Sequence, residues 1–196
     1  MKAGKKPDHA PKLFFKDETT WAAWLEKNHQ TSAGVWMRVA KKGSGLESVS
    51  YPEALEVAIC YGWIDGQKRP ENERTWLQRF LPRTAKSIWS KINREKALAL
   101  IKSRRMRPAG LKAIERAKAH GRWESAYDSP SRAAVPDDFQ AALRANSRAG
   151  EFFEKLDRAN RYAILFRIQT VKKAETRTRK IQQFIEMLER RERIHP

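Results

Sequence analysis

The apolar residues near the N-terminus first follow a helical period and then an extended one. Behind a predicted mobile tail at residues 1–11, Trp21 and Trp24 recur at helical spacing, and either Asp17 or Thr19 can cap that helix. The next stretch, GVWMRVAKK, alternates its side chains at a period of two. This alternation predicts a half-buried strand.

A second helix and two further strands follow. SYPEALEVAICYG has clear helix ends, with Ser50 as the cap, Glu53 completing a capping box and Gly62 closing the helix. WIDGQK and RTWLQRF are short strand candidates joined by the polar turn RPENE. We expect both strands to pair antiparallel with the first one and to form a small sheet packed on helices.

The middle of the chain predicts two basic helices and a linker. Ser90 is a suitable cap for SKINREKALALIKSRRM, and Pro108 can begin PAGLKAIERAKAHG, which Gly121 closes. Residues 124–137, ESAYDSPSRAAVPD, are rich in Ser, Pro and Asp. That composition is typical of an extended linker.

The remaining residues predict helices only. PDDFQAALRAN and SRAGEFFEKLD are two short helices, and one long helix is predicted from about residue 161 to 190. Glu175 interrupts the apolar stripe of the long helix, and a buried carboxylate must be paired. We therefore expect a structural ion pair of Glu175 with Arg179; the alternative is a catalytic carboxylate with a raised pKa.

These elements predict an α+β fold: a small antiparallel sheet packed with helices, followed by an all-helical C-terminal part. The predicted boundaries are an α+β domain at 12–123, a linker at 124–137 and a helical C-terminal module at 138–190. A chain of 196 residues is long enough for this division, since it can form one generous domain or two small ones.

The composition excludes several classes of protein. Its 40% hydrophobic residues can fill a core, and no apolar run reaches the roughly 18 to 20 residues that span a bilayer. Cys60 is the only cysteine and the four histidines are scattered, so we predict no disulfide, no metal site and no cofactor. The N-terminal MKAGKKPDHAPK lacks the apolar stretch of a secretory signal, which predicts a cytoplasmic location.

The formal net charge of +18 is concentrated in the middle of the chain. Residues 81–125 hold 13 Lys and Arg against three Asp and Glu, which is more than half of the excess. A field of this size favours polyanions such as RNA, DNA or anionic lipid headgroups. A basic proteome or a requirement for solubility is the alternative explanation.

Four stretches in order resemble one known family. ALEVAICYGWIDG, RFLPRTAKSIWSKIN, RMRPAGLKAIERAKAHGRW and KKAETRTRKI together resemble the YdeI/OmpD-associated family, also called bacteriocin-protection proteins. The N-terminal part looks like the small α+β domain of YjbR and DUF1801-type proteins. The resemblance implies a link by name to tolerance of antimicrobial peptides and to an outer-membrane porin, but no reaction and no catalytic residues.

The stretch FLPRTAKSIWSKIN is the candidate ligand site, because it combines a helix start with several cations. Arg83 can clamp an anion through its guanidinium, or it can be tied structurally to Asp65 or Glu95. The predicted ligand-binding residues are Trp63, Asp65, Lys68, Arg83, Ser87, Trp89, Ser90 and Asn93.

Each of these residues also has a structural explanation. Asp65 can bond the local backbone of a turn, Ser87 and Ser90 can cap the helix with Asn93 reaching back, and the tryptophans can pack in the core. A second candidate site for a polyanion is the basic cluster Lys102, Arg104, Arg105 and Arg107.

Three functions follow from these candidates. We favour a non-enzymatic module that binds an anionic ligand or nucleic acid through the surface around residues 83–107. A regulatory module that binds a protein partner through the linker is the first alternative. The second is an enzyme of unknown class with Asp65, Arg83 and Ser87 around one pocket.

Overall fold

The structure is a computed structural model that describes residues 9–196, so most of the predicted N-terminal tail lies outside the described residues. Eight helices and four strands are formed by these residues. In chain order they are β1 (Lys12–Phe14), α1 (Glu18–Asn28), β2 (Val35–Ala40), α2 (Tyr51–Cys60), β3 (Trp63–Pro70), β4 (Thr75–Pro82), α3 (Lys91–Lys102), α4 (Pro108–Ala119), α5 (Asp137–Ala145), α6 (Ser147–Lys155), α7 (Arg158–Gln169) and α8 (Ala174–Glu189).

The described chain divides into two compact units. The first unit takes the residues up to Ile88 together with Asn93–Glu124, and the second takes Trp89–Ile92 together with Ser125–Pro196. The predicted domain boundaries at 123 and 138 stay predictions. No helix among the described residues is both long and apolar enough to cross a membrane.

Local sequence signals place the first two helices. Asp17 caps α1 by accepting a hydrogen bond from the backbone N–H of Thr20, and Ser50 forms the predicted capping box with Glu53 at the start of α2. Gly62 follows α2 with φ +73°, a left-handed conformation that suits glycine. The predicted helix ends are confirmed at these positions.

The four strands form one sheet in the order β1-β2-β4-β3. β4 pairs antiparallel with β2, as predicted, but β3 pairs antiparallel with β4 and not with β2, so that part of the prediction is wrong. β1 adds to the free edge of β2 in the parallel direction, so the sheet is mixed rather than purely antiparallel. The three residues of β1 are too few to show a strand period in the sequence. The α+β class itself is confirmed.

A group of aromatic side chains forms the core of the first unit. Trp21 of α1 stacks on Trp24 at 5.5 Å between ring centroids, and it also contacts Trp63 and Phe80 of the sheet. The indole N–H of Trp21 donates to the carbonyl of Ala54, which satisfies a buried polar group. These contacts hold α1 and α2 on one face of the sheet.

Two glycines allow α2 and α4 to approach each other closely. A Cβ on Gly110 would lie 2.4 Å from the carbonyl oxygen of Cys60, and one on Gly62 would lie 2.7 Å from the carbonyl oxygen of Ala109. The backbone N–H of Arg107 donates to the Cys60 carbonyl across this contact. Any larger residue at Gly110 would therefore push the N-terminus of α4 away from α2.

The second unit contains four helices around one apolar core. Phe139, Phe153, Ile164, Ile168 and Leu188 are fully buried there. The single long helix predicted at 161–190 is wrong, because the chain turns at residues 170–173 and separates α7 from α8. Folding back allows the apolar stripes of both helices to face one core, whereas a straight helix would leave one stripe in water.

Arg177 joins three helices of the second unit. Its guanidinium donates two hydrogen bonds to the carboxylate of Asp138, at 2.6 and 2.8 Å, and a third to the carbonyl of Ile168 at the end of α7. The hydrogen bonds from Arg177 hold the pKa of Asp138 below its usual value. This bidentate pair fixes the N-terminus of α5 beside the turn between α7 and α8.

Residues 125–129 lie within the second unit. The carboxylate of Asp128 forms an ion pair with Lys91 at 2.7 Å and accepts a hydrogen bond from the side chain of Gln169. The backbone carbonyl of Asp128 accepts a hydrogen bond from the hydroxyl of Tyr162. Burial raises the pKa of Tyr162 to about 12. The predicted linker thus begins with a segment that is bonded to the helices of this unit.

Replacing Gly110 by Ala tests the close approach of α2 and α4. In an ordinary helix this change is stabilising, but here the added Cβ meets backbone, so we expect the free energy of unfolding to fall by about 1–3 kcal/mol. Ala119→Gly, at the exposed end of the same helix, should cost at most about 1 kcal/mol. Urea denaturation of the full chain measures both, and a Gly110→Ala variant as stable as wild type would contradict the contact.

Replacing Arg177 by Ala tests the bidentate pair in the second unit. The partly exposed pair should contribute about 1 kcal/mol at neutral pH. Because the folded-state pKa of Asp138 is lowered, this contribution is complete above the unfolded pKa of Asp and is lost as the pH falls through the folded one. Urea denaturation at pH 7 and pH 3 should show the deficit shrinking in acid, while Arg179→Ala should show almost none at either pH.

Candidate functional site

The first unit contains a cleft of about 700 Å³. It opens where the ends of α2 and β4 and the start of α4 meet, at Tyr61, Arg83 and Pro108, and the last turn of α1 adds Glu26 and His29. A volume of this size is typical of sites for small molecules.

Four cations line the cleft: Arg83, Arg107, Lys112 and Arg116. Arg83 is 4% exposed, and its guanidinium donates to the carbonyl of Ile88. Arg116 donates in turn to the carbonyl of Arg83 at 2.6 Å. Lys112 lies four residues before Arg116, so α4 presents both side chains on one side. The cleft therefore has a fixed cationic floor and a more exposed cationic rim.

Three of the cleft cations are not matched by carboxylates of the described residues. Within residues 9–196, neither Arg107, Lys112 nor Arg116 makes an ion pair, and the carbonyl that Arg116 contacts carries no net charge. Arg105, by contrast, lies 3.3 Å from Glu56 and 3.4 Å from Glu18. The charges of Arg107, Lys112 and Arg116 are thus less neutralised than the charge of Arg105.

Among residues 9–196, Glu26 is the single acidic residue that lines the cleft. Its carboxylate accepts a 2.8 Å hydrogen bond from the hydroxyl of Tyr61. Burial raises the pKa of the Tyr61 phenol, and the hydrogen bond and charge of Glu26 raise it further, while Arg107 lowers it. Glu26 therefore partly offsets the field of the four cations at one end of the cleft.

The structure brings only some of the predicted ligand-binding residues to this cleft. Trp63 and Arg83 line it, but Asp65 and Ser87 do not. The carboxylate of Asp65 accepts a hydrogen bond from the hydroxyl of Tyr51. The hydroxyl of Ser87 accepts a hydrogen bond from the backbone N–H of Thr84 in a local turn. The three residues of the enzyme hypothesis are therefore not gathered around this cleft.

The other four predicted ligand-binding residues also lie outside the cleft. Lys68 lies over the ring of Trp76 at 4.2 Å from its centroid. Trp89 and Ser90 belong to the second unit, where both pair with the backbone of Tyr127, and Asn93 lies on the buried face of α3. The stretch that looked like one site in the sequence is divided between two units.

Three residues of the predicted polyanion cluster, Arg104, Arg105 and Arg107, line one further concavity beside Cys60, but their surroundings differ. Arg107 lines the cleft, Arg105 is paired with Glu18 and Glu56, and Lys102 and Arg104 are exposed. Arg104 has φ +58°, so it forms the turn between α3 and α4. These four residues are not all unpaired, because Arg105 makes ion pairs, and polyanion binding by the four stays a prediction.

The predicted ion pair of Glu175 rested on burial of its carboxylate, but Glu175 and Arg179 are both exposed in α8. The interruption of the apolar stripe marks the first turn of α8, and Arg177 makes the ion pair of this region. Residues 9–196 contain no group of three or more His, Cys, Asp or Glu side chains placed to hold a metal ion.

Sequence reasoning missed Glu26, Tyr61, Lys112 and Arg116. The four-residue spacing of Lys112 and Arg116 on a predicted helix was a usable signal. Nothing in the sequence linked them to Tyr61 or Glu26, because that contact depends on how α1, α2 and α4 pack.

Comparison with known families gives two matches. Residues 13–113, about half of the chain, match the model of a domain of unknown function, DUF8412. Residues 132–191 match the model described as "Bacteriocin-protection, YdeI or OmpD-Associated". The chain belongs to the DUF8412 family, and its resemblance to the YdeI/OmpD-associated family is confirmed over residues 132–191. Comparison with curated proteins and with solved structures gave no match.

The family assignment fits the geometry without adding a reaction. The DUF8412 match contains the sheet and most of the cleft, whereas the YdeI/OmpD-associated match contains α5 to α8. The likeness of the N-terminal part to YjbR and DUF1801-type proteins stays a prediction. Arg116 lies just beyond the first match.

Replacing Glu26 by Gln tests the contact between Glu26 and Tyr61. We expect the pKa of Tyr61 to fall, because the acceptor loses its charge, yet to remain above its usual value because burial is the larger cause. The ultraviolet absorbance of tyrosinate during an alkaline titration measures this, with Tyr61→Phe identifying the signal. A titration of Tyr61 that does not move in Glu26→Gln would contradict the contact.

Proposed function

We propose that the chain is a non-enzymatic module that binds a small anionic ligand in the cleft of its first unit. The convergence of Arg83, Arg107, Lys112 and Arg116 in one concave site carries this proposal. Clefts lined by one sign of charge raise the local concentration of ions of the opposite sign. Arginine side chains also match the oxygens of carboxylate and phosphate groups.

The start of α4 adds to the attraction for an anion. Arg107 is the N-cap of this 12-residue helix and makes no side-chain cap hydrogen bond, and Pro108 follows it. The positive end of the helix dipole therefore points toward the cleft from the same place as the side-chain charges. The four cations favour a ligand with more than one negative charge, and phosphate-bearing molecules meet that condition.

The charge of the chain bears on the family description. Bacteriocin protection is said of the family, and capture of a cationic peptide by this chain is unfavourable because its own net charge is +18. An anionic ligand is the better match to the cleft. Cytoplasmic location and binding of a regulatory protein partner stay predictions alongside this function.

Pyrophosphate is a suitable probe for the cleft, because it is small and carries several negative charges. Isothermal titration calorimetry at low salt should detect binding to the full chain, and added salt should weaken it. Lys112→Ala should reduce the affinity by about tenfold, since it removes a charged donor from the cleft. Lys118→Ala, on another side of the same helix, should change it by about twofold at most.

The outcomes separate a specific site from general attraction. Equal effects of Lys112→Ala and Lys118→Ala would indicate that pyrophosphate responds only to the net charge, and would overturn the proposed site. Glu26→Gln removes the opposing charge and should increase the affinity. No detectable binding of pyrophosphate at low salt would also count against the proposal.

A further inference from the structure

The exposed apolar residues of this protein are concentrated in its most basic segment. Six large hydrophobic side chains of the described chain are exposed, and five of them lie between residues 88 and 111: Ile88, Ile92, Leu98, Ile101 and Leu111. The same segment lies within the 45 residues that hold 13 Lys and Arg against three Asp and Glu. Exposed apolar and cationic groups therefore occur together rather than in separate parts of the chain.

Helix α3 shows this combination most clearly. Asn93, Ala97 and Leu100 form its buried face. Leu98 lies on the other side with 53% of its surface exposed, and Ile101, one turn later, is 39% exposed. We call the outward side formed by Arg94, Leu98, Ile101 and Lys102 the outer face of α3.

The outer face carries charge that is available to a partner. Lys102 is exposed in the last turn of α3 and makes no ion pair within residues 9–196. Arg94 donates to the carbonyl of Trp123, a neutral acceptor, so that bond leaves its charge uncompensated. Lys96 and Arg105 are not part of the outer face, and both are paired with Glu56.

The chemistry of the outer face distinguishes between polyanions. A nucleic acid backbone can match Arg94 and Lys102 but offers no apolar phase for Leu98 and Ile101. An anionic lipid surface offers both, because its headgroups attract the cations while the boundary of the acyl chains accepts aliphatic side chains. Long Lys and Arg side chains can keep their charged ends among the headgroups while the helix lies in the interface.

We propose that the outer face of α3 docks the protein onto anionic lipid surfaces. Leu98 and Ile101 enter the interface, and Arg94 and Lys102 contact the negatively charged headgroups. The surface is distinct from the cleft of the first unit, whose α4 cations are Lys112 and Arg116. Docking on lipid and binding of a small anion are therefore separate properties with separate tests.

Co-sedimentation with vesicles tests this docking. The full chain should bind vesicles that contain phosphatidylglycerol and phosphatidylcholine, and should bind pure phosphatidylcholine vesicles far more weakly. The double variant Leu98→Ser, Ile101→Ser should lose about tenfold in partitioning onto the anionic vesicles. Phe14→Ser, which replaces the sixth exposed apolar side chain, should leave partitioning nearly unchanged.

Charge reversal provides the second arm. Lys102→Glu should weaken vesicle binding several-fold, whereas Lys155→Glu, at the exposed end of α6, should have a much smaller effect. Circular dichroism spectra equal to wild type show that each variant is folded. If the double variant does not fold, Leu98→Ser alone and Lys102→Glu still decide the question.

Three results would overturn the proposal. The first is vesicle binding that the serine variants leave unchanged, since that binding needs only charge. The second is binding of an RNA oligonucleotide that Lys102→Glu weakens while vesicles are not bound, which would assign the face to nucleic acid. The third is the absence of vesicle binding altogether, as expected if an acidic protein covers this face. Pyrophosphate binding in the cleft should be unaffected by the serine variants, so the two proposals fail independently.

Discussion

The close contact between the end of α2 and the start of α4 is the constraint on which the cleft depends. The absence of a side chain at Gly62 and Gly110 lets backbone approach backbone at distances that any Cβ would prevent. The backbone bond from Arg107 to Cys60 then fixes the direction in which α4 leaves the contact. This is why side chains from distant parts of the sequence line one concavity beside the sheet.

The same contact determines which cations are available. Arg105 and Arg107 are two residues apart and both line a concavity beside Cys60, but only Arg105 makes ion pairs. Arg105 reaches Glu18 and Glu56, while Arg107 faces the cleft, where Glu26 is the one acidic side chain. A count of charges in the sequence treats the two arginines alike. The ion pairs of Arg105, however, offset most of the positive potential around its guanidinium. The excess of positive charge is therefore a poor measure of binding capacity until the pairs are known.

Local features of the fold could be predicted from the sequence, and features that depend on packing could not. The caps at Asp17 and Ser50 depend on bonds within a few residues, so their sequence signals were sufficient. The long C-terminal helix failed as a prediction because helical periodicity does not show where a chain folds back onto its own core. Glu175 lies in the first turn of α8, just after the chain folds back, whereas the sequence alone suggested that its charge was buried. Likewise, Trp63 and Arg83 were found as candidates, but Arg116, which donates to the carbonyl of Arg83, is 33 residues away and needed the tertiary structure.

The two proposals assign different purposes to equal charges because the neighbours of those charges differ. Lys112 lies in a concave site beside other cations, where a small ligand with several negative charges can contact more than one of them. Lys102 lies on a convex helix face beside Leu98 and Ile101, where no such enclosure exists and an extended surface is the better partner. Shape and apolar surroundings thus separate two kinds of anionic partner that the net charge of +18 cannot distinguish. Both proposals therefore rest on the placement of the cations, and the number of cations explains only the sign of the charge that they would attract.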